Sequence, residues 1–328
     1  MATVLLTGAA GFIGYHTAEA LLARGDAVIG VDDLNGYYDV RLKAARLARL
    51  TARPGFRFHQ LDIADRAGIA AMVGQHPDIT RIVHLAAQAG VRHSLVDPYS
   101  YVRSNVMGQV VLLEAARQLG TVEHVVYASS SSVYGGNPKL PFAIEDRTDQ
   151  PLSLYGATKK ADELIVQSYA HLFRLKCTGL RFFTVYGPWG RPDMAAYLFT
   201  RAILNREPIR LFNAGNMQRD FTYVDDIVKG VIAALDRPPQ DGGPAAPPHR
   251  IYNLGNHRAE TLRDFIAAIE RATNRKAILT EEPMQPGDVR ATLADITASE
   301  RDLGFHPSTA IDVGIPNFVA WYRQYHGV

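Results

Sequence analysis

Thr7-Gly8-Ala9-Ala10-Gly11-Phe12-Ile13-Gly14 follows a short apolar run, Thr3–Leu6, and leads into an amphipathic stretch, Phe12–Arg24. The run reads as a strand and the stretch as a helix. The glycines between them are spaced G-x-x-G-x-x-G, one residue wider at the start than the usual dinucleotide fingerprint. Gly8 allows the tight turn, Gly11 lets a pyrophosphate approach the backbone, and Gly14 lets helix and strand pack closely. A helix starting at Phe12, with Ile13 in its first turn, presents free N–H groups and its positive dipole end to phosphate. A bare glycine pattern is weak. A strand before it and a helix after it are the context that makes it a dinucleotide site.

The next apolar run, Ala27–Val31, ends at Asp32. An acid there accepts hydrogen bonds from the adenosine ribose and repels a 2′-phosphate, which favours NAD over NADP. No arginine follows it directly; the next residues are Asp33, Leu34 and Asn35. Asp62-Ile63 follows a third run, Phe56–Leu61, and places an acid where the adenine amine would lie. Leu85-Ala86-Ala87-Gln88 closes a fourth, Arg81–Leu85, with small residues suited to the close passage of a dinucleotide.

Helical patterns separate these runs: Val40–Leu50, Ala67–Gly74 and the long Tyr99–Leu119. Val122–Ala128 reads as a strand, Leu154–Phe173 as a helix and Cys177–Phe182 as a strand. Strands alternating with helices imply parallel strands joined by crossovers and covered on both faces. The expected class is therefore α/β, a doubly wound parallel (Rossmann) sheet. After residue 182 glycine and proline become frequent, and Pro238–Pro248 reads as a surface loop. Helices fit Met194–Asn205, Val224–Leu235 and Leu262–Thr273. The expected division is a dinucleotide-binding domain over 1–182, which also receives parts of later segments. A smaller substrate-binding domain over 183–328 is interleaved with it.

Tyr155 and Lys159 lie four apart on the Leu154–Phe173 helix and so share a face. A nearby ammonium stabilises phenolate and makes the tyrosine a usable base near neutrality. Lys159 can also bind the nicotinamide ribose. Such a pair is common by chance. Ser129-Ser130-Ser131-Ser132 follows the fifth strand at the edge where such folds bind ligands, and a serine hydroxyl there can bond a reacting sugar oxygen.

The chain has 328 residues, 35 basic and 33 acidic, with no long run of like charge, so neither nucleic acid nor an anionic membrane is an expected partner. Its one cysteine, Cys177, excludes an internal disulfide, and no Cys/His cluster suggests a metal. No apolar stretch approaches the length of a spanning helix and no signal peptide is recognisable. The expected compartment is the cytoplasm.

These segments together resemble the extended short-chain dehydrogenase/reductase superfamily, in its NAD-dependent epimerase/dehydratase family, over nearly the whole chain. More narrowly they look like the UDP-glucuronate 4-epimerases. The narrow likeness rests on Asp32 to Asp39 (DDLNGYYD), Gln88 to Arg92 (QAGVR), Ala128 to Gly135 (ASSSSVYG), Arg181 to Met194 (RFFTVYGPWGRPDM), Arg219 to Tyr223 (RDFTY) and Pro286-Gly287-Asp288. The resemblance implies Ser130 as the catalytic serine beside Tyr155 and Lys159, and adds Asn35 to the NAD contacts. Dehydratase relatives carry Asp-Glu in the two places after that serine, and decarboxylases Ser-Glu. Ser131-Ser132 supplies no carboxylate, which points to oxidation and re-reduction at C4. Thr184, where many relatives have Asn, joins Ser131 and Ser132 in the hydroxyl set that holds the C6 carboxylate.

Arg219 is the expected pyrophosphate contact. Arg92 and Arg191 are further substrate contacts, and Asp288 a ribose acceptor. The implied reaction interconverts UDP-glucuronate and UDP-galacturonate through a 4-keto intermediate, with transient hydride transfer to bound NAD. A UDP-hexose 4-epimerase and a UDP-glucuronate decarboxylase are the alternatives. The helices Tyr99–Leu119 and Leu154–Phe173 resemble those that pair in this superfamily's homodimers.

Overall fold

A computed structural model describes residues 1–284 and 288–328, so Pro286 and Gly287 lie outside the described residues. Seven parallel strands form the central sheet: β1 (Thr3–Thr7), β2 (Ala27–Asp32), β3 (Phe56–Gln60), β4 (Arg81–His84), β5 (His124–Ser130), β6 (Cys177–Phe182) and a late strand, His249–Leu254. Their order is β3-β2-β1-β4-β5-β6, with the late strand beside β6. The α/β reading of the sequence therefore holds.

The inner strands are apolar on both faces, as a sheet covered on both sides requires. Val4, Leu6 and Val28 point into one core, shared with α1 (Phe12–Ala23). Leu5, Ile29 and Val31 point into the other, against the helices between β3 and β6. Those helices are α3 (Arg66–Gly74), α5 (Gly108–Leu119) and α6 (Leu154–Phe173). Between α1 and α3 runs α2 (Val40–Thr51), capped by Asp39, whose carboxylate accepts the Arg41 N–H at 3.0 Å. Because chain order reverses between β1 and β4, the loops leaving their C-terminal ends diverge and open a crevice.

The expected long helix Tyr99–Leu119 is not uniform. A short helix, α4 (Pro98–Tyr101), passes into a π-helical turn, Val102–Met107, before α5 begins. The wide turn carries Asn105 inward, where it is almost wholly buried. Its side chain accepts the Gln88 N–H at 2.8 Å and donates to Gln88 O at 3.0 Å and Thr158 Oγ1 at 2.9 Å. A plain α-helix would aim that residue elsewhere. The fifth strand also extends beyond its expected end at Ala128, through Ser129 and Ser130.

After β6 come β7 (Thr184–Tyr186), α7 (Ala195–Asn205), β8 (Pro208–Phe212), β9 (Gln218–Tyr223), α8 (Val224–Leu235), the late strand now numbered β10 (His249–Leu254), β11 (Ala259–Thr261), α9 (Leu262–Thr273), β12 (Ile278–Glu282), α10 (Thr297–Leu303) and α11 (Ile311–His326). Strand β9 pairs with β7 and β11, and β8 with β12. Helix α8 packs against α1 beneath the main sheet. Helices α7, α9 and α11 enclose an aromatic core that includes Phe221, Phe265, Phe318 and Trp321. Phe221 and Phe265 stack with ring centroids 3.8 Å apart.

Candidate active site

A cleft of about 970 Å³ runs along the C-terminal ends of β1, β2, β4, β5 and β6, and every site residue expected from the sequence lines it. At one end is the glycine turn. Helix α1 begins at Gly11 with no side-chain cap and no acid in its first turn, so its leading N–H groups face the cleft uncompensated. A Cβ on Gly14 would sit 1.9 Å from Gly8 O, and one on Gly8, whose φ is +72°, would meet Ala86 N at 2.8 Å. The backbone is thus drawn tight on itself, with bare N–H groups in front of it. That is the cradle a pyrophosphate fits.

Asp32 is buried at the end of β2. Its carboxylate accepts the Ala10 N–H at 3.1 Å and the Leu34 N–H at 2.9 Å. Burial pushes its pKa upward, while the ammonium of Lys43, 3.8 Å away, and these N–H groups oppose that shift. Lys43 also donates to Asn35 Oδ1 at 3.1 Å. Asp62 pairs with Arg103 of the π-helical turn, Nη2 to Oδ2 2.8 Å. Ile63 packs where a Cβ on Gly108 would come within 2.6 Å of it. Leu85 to Gln88 form the floor between β1 and β4, with the Ala86 N–H donating to Thr7 Oγ1 at 3.2 Å. An adenosine, a ribose and a diphosphate all find complementary groups along this half of the cleft.

Tyr155 and Lys159 project from the first turns of α6, which Ser153 caps by accepting the Gly156 N–H at 3.1 Å. Lys159 is buried, and its ammonium donates to Asp162 Oδ2 at 3.1 Å; the two side chains are 3% and 1% exposed. Burial pushes Asp162 up to about 6, against the pull of Lys159. His84 lies close by, fully buried and pushed down to about 3 by burial and the charge of Lys159. It shares a 2.7 Å hydrogen bond with Thr7.

Ser130 Oγ accepts the Ser132 N–H at 3.1 Å, which leaves the Ser130 proton free to donate. Behind the serines, Arg181 grips Glu163 through two bonds, 2.8 and 2.9 Å, and Ser129 donates to the same carboxylate at 2.7 Å. This buried pair ties α6 to β5 and β6. Removing one partner would cost about 3–5 kcal/mol.

At the other end, Asp288 lies between two guanidinium groups, 3.1 Å from Arg92 and 3.6 Å from Arg219. Arg92 also stacks over Phe212, 4.7 Å from its ring centre. Arg191 lines the cleft, but its charge is already met by Asp193 at 2.6 Å. Tyr37 donates to the same Asp193 at 3.0 Å, so the loop after β2 reaches across to the loop after β7. Burial and Asp193 raise Tyr37 to about 12.

Sequence reasoning did not pick out Lys43, Asp162, Glu163 or Asp193 as parts of this site. Asp162, Glu163 and Asp193 lie within four residues of Lys159 or Arg191, but the ion pairs they make depend on packing that spacing does not reveal.

The NAD dependent epimerase/dehydratase family matches residues 4–255. UDP-glucuronate 4-epimerase 3 of Arabidopsis thaliana is 47% identical, over 99% of this chain and 77% of its own length. The probable UDP-glucuronate 4-epimerase of Rhizobium meliloti is 44% identical over 98% and 96%. The crystal structure of UDP-glucuronic acid 4-epimerase from Bacillus cereus, in complex with UDP-glucuronic acid and NAD, superposes with a TM-score of 0.90. It is 32% identical and covers 98% of this chain and 99% of that one.

Proposed function

The chain belongs to the NAD-dependent epimerase/dehydratase family, and from that premise we propose that it is a UDP-glucuronate 4-epimerase, interconverting UDP-glucuronate and UDP-galacturonate. The observation that carries this reading is the set Ser130, Ser131 and Ser132 at the end of β5 with Thr184 at the start of β7, all lining the cleft. It offers hydroxyls where expulsion of water from the sugar would need an acid and a base. Among the described residues the one carboxylate bonded to the serine run, Glu163, is held by Arg181.

NAD, held by the glycine turn Gly8–Gly14 and by Asp32, would supply the acceptor and donor of the C4 hydride. Tyr155 Oη removes the proton of the C4 hydroxyl as hydride leaves the same carbon, and returns it when the opposite face is reduced. The Ser130 hydroxyl, whose oxygen already accepts the Ser132 N–H, donates a hydrogen bond to the sugar O4 and keeps its proton. Lys159, fixed by Asp162, places a positive charge beside the phenolate. Between the two half-reactions the 4-keto sugar turns over in the cleft. Arg219 and Arg92 hold its diphosphate, with Asp288 accepting from the uridine ribose. The keto sugar is a β-keto acid. Neutral hydroxyls of Ser131, Ser132 and Thr184 restrain its carboxylate in an orientation poor for loss of carbon dioxide.

Product analysis of UDP-glucuronate incubated with the purified protein tests this. UDP-galacturonate should form with no net reduction of NAD, and Tyr155→Phe should abolish it in a folded protein. A UDP-pentose as the main product would overturn the reading. A neutral hexose also suits hydroxyl groups, and rates with UDP-glucose measured alongside separate a hexose epimerase from a hexuronate one.

Two interleaved units, 1–182 and 183–328, support this division of labour between cofactor and sugar. A homodimer is inferred from apolar side chains left exposed on adjacent segments: Leu95, Tyr99, Val102 and Met107 near the π-helical turn, and Leu164 and Leu172 on α6. Light scattering would give twice the mass of the chain. A cytoplasmic location is part of this proposal, as the sequence leads us to expect; no described helix is long and apolar enough to cross a membrane.

A further inference from the structure

Arg46, on α2, is among the largest fully buried side chains of the protein. A buried guanidinium ordinarily sits against a carboxylate, because an unpaired charge is costly to remove from water. Arg46 has only neutral partners. Its Nε donates to Trp189 O at 3.1 Å, and Nη2 to Trp189 O at 2.6 Å and Gly190 O at 3.4 Å. Its Nη1 donates to Ala10 O at 2.9 Å and Tyr38 Oη at 2.8 Å. Among the described residues no carboxylate pairs with it.

Its position gives the missing charge a meaning. Ala10 O belongs to the peptide whose N–H, on Gly11, closes the turn onto Gly8 O at 2.9 Å. Arg46 itself does not line the cleft, whereas Gly8, Gly11, Phe12 and Ile13 do. The guanidinium therefore stands directly behind the turn, with the open N–H groups of α1 in front. The same group fixes the carbonyls of Trp189 and Gly190, which lead into Arg191. Trp189 is held there in a left-handed conformation, φ +62°.

We propose that Arg46 is a positioning residue for the diphosphate of the bound dinucleotide, locking the glycine turn through Ala10 and supplying from behind it a buried positive charge whose counter-anion is the pyrophosphate. The inference rests on the reading of the turn as an NAD site. It assigns Arg46 no contact with NAD and no part in proton or hydride transfer. Its effect is on the affinity of anything that places phosphate at the turn, and not on the recognition of adenosine by Asp32.

The test is titration calorimetry of the full chain, freed of nucleotide, with NAD, ADP and adenosine, in the wild type, Arg46→Gln and Arg46→Lys. The wild type should bind NAD and ADP; failure to do so would refute the NAD site itself rather than the role of Arg46. Arg46→Gln should weaken NAD and ADP roughly ten- to a hundredfold and leave adenosine unchanged, as expected for a charge acting through a low-dielectric interior. Arg46→Lys, which keeps the charge, should hold the ratio of ADP to adenosine affinity within about threefold of wild type. Equal weakening of ADP and adenosine in Arg46→Gln would mean a purely structural role and overturn the proposal, as would unchanged ADP affinity. If Arg46→Gln does not fold, Arg46→Lys decides: a selective loss of ADP affinity in a variant that keeps the charge overturns it.

Discussion

Replacing Gly14 by Ala would place a methyl carbon 1.9 Å from the Gly8 carbonyl oxygen and 2.8 Å from its carbon. An ordinary contact of about 3.4 Å requires helix α1 and the turn to separate by about 1.5 Å. The turn cannot retreat, because Gly8 already lies against the backbone of Leu85 and Ala86, and Arg46 holds Ala10 from behind. The helix must yield instead. It carries Phe12, Tyr15, Ala18, Leu21 and Leu22 into the core against α8, so overpacking costs about 1–3 kcal/mol of stability.

The same displacement draws the leading N–H groups of α1 away from the position of the phosphates. Losing one hydrogen bond to a charged group costs about 1.5–3 kcal/mol, or roughly one to two orders of magnitude in NAD affinity. Calorimetric titration with NAD at fixed salt measures the affinity, and thermal melting of the same sample shows that the variant is folded. A folded Gly14→Ala protein that binds NAD as tightly as wild type would refute the placement of the pyrophosphate on this turn.

Two further outcomes are expected. Thr184→Val should lower turnover of UDP-glucuronate about tenfold, by the loss of one hydroxyl bond to its carboxylate, and leave UDP-glucose turnover nearly unchanged; equal effects on both substrates would detach Thr184 from the carboxylate. Stability should fall as pH drops from about 6.5 toward 4, because three depressed histidines outweigh the opposite contribution of Asp162 and Asp220, which burial raises to about 6. Burial holds His124 and His249 at about 4 and His84 at about 3, below the ordinary value of 6.5. Between these limits the unfolded chain takes up protons that the folded chain cannot, so each depressed histidine favours folding above pH 6.5 and loses up to about 3 kcal/mol by pH 4. Melting temperatures across that range give the readout, and a flat profile would contradict it.

The elements that sequence placed best are those set by local pattern. Leu154–Phe173, Cys177–Phe182, Val224–Leu235 and Leu262–Thr273 form on the expected residues. Each combines strong apolar periodicity or β-branched content with a clear stop, such as Arg174 in the left-handed region after α6. Strand β9 escaped notice because it opens on Gln218, Arg219 and Asp220, and Asp220 tolerates burial because the Asn256 and Ala294 N–H groups and the Thr222 hydroxyl donate to it. Helix α11 contains Gly314 and Pro316, which read as breakers. Gly314 is required by the Tyr186 hydroxyl, which a Cβ there would meet at 2.3 Å.

The site divides in the same way. The glycine turn, Asp32 and the Tyr155/Lys159 pair announce themselves because their chemistry lies within one turn or one helix face. The buried pairs that hold them, Lys159 with Asp162 and Arg181 with Glu163, depend on desolvation, and a string of residues does not display it.

Strand β10 occupies the edge of β6, yet its residues are translated roughly seventy positions after β6 ends. At bacterial or eukaryotic elongation rates that interval lasts roughly 3–14 seconds. During it β6 is an edge of the sheet, its apolar border Cys177–Phe182 open to any neighbouring strand, and α8, which covers α1, is itself still being made. The border closes only when His249–Leu254 has cleared the ribosome. An edge that the folded protein keeps covered is thus left bare during synthesis, for as long as the stretch from 183 to 254 takes to be delivered.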